Sequence, residues 1–142
     1  MLKILIAVDG SEHAKRAIEA VGNMVKSSLE LEATLICVSP EPIFYGDYSA
    51  SSVRKIEEDQ KAHQDTILTR GAELAKAQGL KLGAPVRVFG VVANEIVRAT
   101  DNGKFDQIVM GTRGMSNIGN MILGSVAQRV LYQTSVPLLL VK

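Results

Sequence analysis

The chain holds one cysteine among its 142 residues, Cys37, so no internal disulfide can form, which suits the cytoplasm. Cys37 lies inside the apolar run ATLICVS and reads as a buried strand cysteine rather than a reactive thiol. Neither sign of charge is in excess: 16 Lys and Arg stand against 15 Asp and Glu, a net of +1. Nucleic acid and acidic membrane surfaces require a concentrated basic face, so neither is expected as a partner. Long hydrophobic runs are missing as well, none approaching the roughly 18 residues that span a bilayer. The opening MLKILIAVDG is soon followed by charge and lacks a small-residue cleavage site, so it does not read as a signal peptide. Histidine is limited to His13 and His63, neither with a cysteine or carboxylate at ligand spacing, and no protein-built metal site is expected.

What remains is a globular composition, 46% hydrophobic and 22% charged, on a chain whose length fits one domain over residues 1–142. Residues 2–8, LKILIAV, form an almost continuous apolar run with β-branched members, the pattern of a strand buried on both faces. Ser11 can cap the helix after it, whose apolar positions Ala14, Ala17, Ile18, Val21 and Val25 recur at helical spacing. Residues 32–39 are a second strand, stopped by Pro40 and Pro42. Beyond the irregular SPEPIFYGDYSA a long helix spans about residues 51–78, with Val53, Ile56, Ile67, Leu74 and Ala75 inward and Gly79 as its stop. Its first half, RKIEEDQKAHQD, is polar enough to project beyond a sheet. Residues 85–92 read as a third strand, and 93–103 as a short helix closed by Asn102-Gly103. Residues 105–111 give a fourth strand, 120–134 a fourth helix and 136–142 a last strand.

Such alternation defines an α/β protein: an open parallel five-stranded sheet with helices on both faces. Pattern alone leaves two orders open, 2-1-3-4-5 and 3-2-1-4-5. In either, ligands bind at the carboxyl ends of strands. Three places therefore stand out: Asp9, Val38-Ser39 and Gly111.

Familiar phosphate loops are absent. There is no G-x-x-x-x-G-K-[ST], hence no lysine set for β- and γ-phosphates, and no G-x-G-x-x-G, since an acid stands after the first strand. Also missing are a nucleophile-base pair, a G-x-S-x-G elbow and paired acid/base carboxylates, so catalytic residues are not assigned. Slow ATP hydrolysis needs no dedicated base and stays open. What is present is VMGTRGMSNIGNMILGSVAQRV, residues 109–130, with the spacing G-x2-G-x9-G-S from Gly111, Gly114, Gly124 and Ser125. Glycines allow a ligand to approach bare backbone, and the segment leads into a helix N-terminus whose unpaired amides favour anions. Arg113 adds a cation, Ser116 and Ser125 hydroxyls. The bland alternatives are a βα connection for the glycines and an Asp-Gly turn capping the first helix for Asp9.

At ILIAVDGSEHAKRAI, VMGTRG, LGSVAQRVL and SVPLLLVK the sequence resembles the ATP-binding branch of the universal stress protein family, over its whole length. The resemblance implies the Rossmann-like order 3-2-1-4-5, as in adenine nucleotide alpha hydrolases, and an ATP site. Ala7, Val8 and Asp9 would stand at the adenine end, with the Val38 backbone reading the base edge. Met110, Gly111, Thr112, Arg113 and Gly114 would pass under ribose and α-phosphate, and Gly124, Ser125 and Val126 would hold the outer phosphates. Gly119 has no counterpart in the motif. Mg²⁺ would be held mainly by phosphates and water, which needs few protein carboxylates.

The final strand is unusually apolar for an outer strand, and an exposed apolar edge invites pairing, so a homodimer through it is expected. Tyr45 and Tyr48 fit a lid near the base, ordinary loop packing or a dimer contact. The expected protein is thus a cytoplasmic, dimeric, ATP-binding stress-response module. Its rivals are a scaffold of the same fold without nucleotide and a weak ATPase or adenylyl-transfer enzyme. The last lacks the S-G-G-x-D-S type of pyrophosphate loop after the first strand.

Overall fold

At the centre of the sheet lies β1 (Leu2–Ala7), whose Ile4, Leu5 and Ile6 are fully buried. A strand hidden on both faces has no solvent side, which is why its sequence does not alternate. The computed structural model describes residues 1–113 and 123–142. In it β2 (Leu31–Ser39) and β5 (Gln107–Gly111) flank β1 in parallel, and β6 (Leu138–Val141) adds to β5. Two further pieces, β3 (Lys81–Leu82) and β4 (Val86–Phe89), both pair with β2, giving the order β3-β2-β1-β5-β6 with β4 beside β3. This is the order the resemblance implies, with the third strand in two pieces.

The break has a local cause. Leu82 pairs with Ala33 and Val86 with Ile36, so four steps on the outer strand match three on β2. One residue bulges out beside Pro85, which has no amide hydrogen to give the ladder. The expected strand over residues 85–92 is therefore shorter, because α3 (Val92–Gly103) already begins at its far end.

Helices α1 (Glu12–Lys26) and α2 (Ala50–Ala77) cover the face carrying Ile4, Ile6 and Leu35. On the opposite face α3 and α4 (Ser125–Gln133) cover Leu5, Ile36 and Ile108. Neighbouring residues of one strand thus feed opposite cores, as the pleat demands. Ser11 caps α1 as expected, its Oγ accepting from the Ala14 amide at 3.1 Å. Gly79, at φ +84°, ends α2: its amide donates to the Lys76 carbonyl and that of Leu80 to the Ala75 carbonyl, the paired bonds of a Schellman stop.

Three expectations need correction. The left-handed residue that stops α3 is Lys104, at φ 54°, not Gly103; Gly103 lacks a side chain because one would overlap the Phe105 ring. The helix expected from residue 120 starts at Ser125, with Leu123 and Gly124 outside it. Gln64, within the polar half of α2, is fully buried, while none of residues 50–63 is. Its Nε2 donates to Ser39 Oγ at 3.1 Å and to the Val88 carbonyl at 3.0 Å, tying α2 to the ends of β2 and β4.

Candidate functional site

β1 and β5 are neighbours, and their chain connections leave in opposite directions, β1 toward β2 and β5 toward β6. Helices on opposite faces diverge there, opening a crevice beyond the strand ends. A cavity of about 410 Å³ fills it. Its volume lies within the range of roughly 300–1,000 Å³ that small-molecule sites occupy.

The cavity has both apolar and polar lining. Ile36 and Val38 from β2, Ile96 from α3 and Met110 from β5 make an apolar wall. Thr112, Arg113 and the first turn of α4, from Gly124 to Ala127, complete the lining, Ala127 packing in the same apolar cluster as Ile36, Ile96 and Met110. Gly124 is the N-cap of α4 and has no side chain to offer, so the amides of the first turn have no side-chain cap. Those amides and the helix dipole favour an anion or an oxygen acceptor. The Gly124 amide itself donates to the Thr112 carbonyl at 2.6 Å, which fastens the start of α4 to the end of β5.

Of the residues singled out in the sequence, Ala7, Val8, Asp9, Val38, Met110, Gly111, Thr112, Arg113, Gly124, Ser125 and Val126 all line this cavity. Ser39 does not line it, and Gly114, Ser116 and Gly119 lie outside the described residues. One carboxylate oxygen of Asp9 accepts from the Ser11 amide at 2.9 Å, holding the turn before α1, whose cap is Ser11 rather than Asp9; the residue also borders the cavity. Tyr45 and Tyr48 are exposed and line no part of it.

Sequence reasoning missed Ser11 and Ala14 of α1, Ile36, Ala127, and Val92 and Ile96 of α3. Ile36 and Ile96 carry no signal beyond apolar periodicity, because a cavity wall and a core share residue types. Gly111 has a use that spacing did not reveal. A Cβ there would meet His13 Cβ at 2.5 Å and the His13 backbone at 3.0 Å, so this glycine lets α1 close onto β5. Cys37 is buried as expected, and desolvation, with the Asp9 carboxylate adding repulsion, pushes its thiol up to about 11. That keeps it a neutral, unreactive core residue at physiological pH. Among the described residues no three His, Cys, Asp or Glu side chains cluster as a metal site, and no helix is long and apolar enough to cross a membrane.

Fold and cavity together define a doubly wound α/β protein with a cavity of mixed apolar and polar lining at its switch point. The family model for the universal stress protein family matches residues 1–142. Universal stress protein MJ0531 of Methanocaldococcus jannaschii is 34% identical over 140 residues, covering 99% of this chain and 81% of that one. A universal stress protein of Thermus aquaticus is 32% identical over 145 residues, covering 98% and 97%. The chain belongs to the universal stress protein family. Among solved structures, MJ0577 of M. jannaschii superposes with a TM-score of 0.84 at 25% identity, over 99% of this chain and 94% of that one. The same fold occurs in a universal stress protein family member of Arabidopsis thaliana with AMP bound, TM-score 0.73 at 20% identity over 100% and 92%. It occurs again in the Archaeoglobus fulgidus protein in complex with dAMP, TM-score 0.67 at 19% identity over 100% and 98%.

Proposed function

We propose that the cavity binds an adenine nucleotide, ATP in the first instance, and that the protein is a cytoplasmic nucleotide-responsive module of the stress response rather than a catalyst. The observation that carries this reading is the N-terminus of α4, without a side-chain cap, bordering a cavity that Ile36, Val38 and Met110 also line. A base packs against Ile36, Val38 and Met110, while phosphates take the amides from Ser125 onward. The AMP and dAMP held by two structural neighbours support the ligand class. Mg²⁺ travels with the phosphates, and Asp9 is the carboxylate at hand, one of its oxygens already turned to Ser11.

Titration calorimetry on protein stripped of nucleotide, with AMP and with ATP in the presence and absence of Mg²⁺, tests the reading. Binding in the micromolar range is expected, and none at about 1 mM would overturn it. Gly124→Val, with helix content unchanged by circular dichroism, is expected to lose binding. The rival scaffold reading draws on Gly111, whose packing against His13 would be needed with no nucleotide at all. Silence in the titration would favour it.

The module is proposed to work as a homodimer through β6. Among the described residues that strand pairs with β5 alone, and its four apolar residues are packed against the two cores, yet each remains partly exposed.

A further inference from the structure

A second, open cavity of about 510 Å³ adjoins the first. The two share Val92, Ser125 and Val126, so they meet at the first turns of α3 and α4. We infer that the ligand site is bipartite: it takes an adenine nucleotide joined through its phosphates to a second nucleoside, which lies in this adjoining cavity. The inference rests on the nucleotide reading of the first cavity and specifies the group attached at the far end of the phosphates.

Position argues first. Phosphates at Ser125 sit on the boundary between the cavities, so whatever is attached to them has the second cavity before it. Arg129 is one helical turn beyond Ser125 on the same face of α4, and it lines only the second cavity. Among the described residues nothing pairs with its guanidinium, whose planar fork suits a bridging phosphate.

The remaining lining selects the chemistry. Pro40, Val91 and Ala93 form an apolar floor, with Val91 half-exposed at 52%. Glu41 stands on the rim as an acceptor for sugar hydroxyls or ring amino groups. A lone phosphate would leave the floor uncovered, and an acyl chain would give Arg129 and Glu41 nothing to bind. A phosphate-linked nucleoside uses all three: a flat base on the floor, phosphate at Arg129, hydroxyls toward Glu41.

The test compares AMP, ATP and diadenosine tetraphosphate by calorimetry on the full chain, wild type and two variants. Arg129→Ala removes an exposed cation. Val91→Asp puts a carboxylate on the floor at the N-cap of α3, where aspartate is a favoured capping residue and the helix is kept. Wild type is expected to bind diadenosine tetraphosphate about tenfold more tightly than ATP, and each variant to lose that advantage while AMP affinity stays unchanged. Equal affinity for ATP and the dinucleotide, or an advantage that survives both variants, overturns the bipartite site and leaves the nucleotide reading intact. If none of the three binds, both fall together.

Discussion

Gly111 shows how one residue answers to two demands. The sequence offers it as a place where phosphate can approach backbone, and the structure shows that it also keeps α1 against β5. Gly111→Ala is therefore expected to destabilise the protein by about 1–3 kcal/mol in urea unfolding even without ligand, because His13 backbone cannot swing aside as a flexible side chain could. Ser28 makes the opposite case. It ends α1 at φ 68° in a stop where glycine is the usual residue, and Ser28→Gly is expected to raise stability by up to about 1 kcal/mol. Cys37 gives a pH dependence whose sign is fixed. Its folded thiol titrates at about 11, above the ordinary 9.0, so its contribution to stability is complete below pH 9.0 and lost as pH rises through about 11. Thiol reagents at pH 8 should label native protein far more slowly than unfolded chain, because the thiol is both buried and held neutral, and Cys37→Ala should flatten the alkaline loss of stability.

Among the elements, α2 is read to within one residue at each end and yet hides one buried side chain. Its periodic apolar positions announce a helix, and its polar stretch over residues 54–65 is unburied up to His63 but not at Gln64. Gln64 breaks that pattern because the end of β4 has a carbonyl, that of Val88, which needs a donor, and a long amide on the covering helix reaches it. A residue type that is usually solvated cannot advertise such a partner in advance. Gln64→Leu keeps the volume and removes the donor, and a loss of about 1–3 kcal/mol is expected from denaturant unfolding. The broken third strand is hidden for a related reason: Pro85 is visible, but which residue of Gly83, Ala84 and Pro85 slips out of register depends on pairing to β2, a non-local matter. The cavity is more legible than either. Its loop-borne residues lie at strand ends, where alternation of strand and helix already places them. Its walls, from Ile36 to Ile96, look like core until helices are seen to part above them.

For the molecule as a whole, the nucleotide reading makes stability depend on ligand concentration. At a hundredfold excess over Kd the folded state gains about 2.7 kcal/mol, so ATP should raise Tm by roughly 5–10 °C in a thermal scan, and a Tm indifferent to ATP would count against the site. Sedimentation at micromolar concentration is expected to find a dimer, and a monomer would remove β6 as an interface. The two margins of the sheet are not alike. On the β6 side four apolar residues stand partly exposed, whereas on the other a two-residue strand, a bulge and a proline interrupt the outer rung. A ladder with one receptive side and one spoiled side can add a single copy and then has nowhere to grow. In the proposed dimer the proline beside Ala84 would set a limit on number, keeping a sheet that could extend through both margins to a pair.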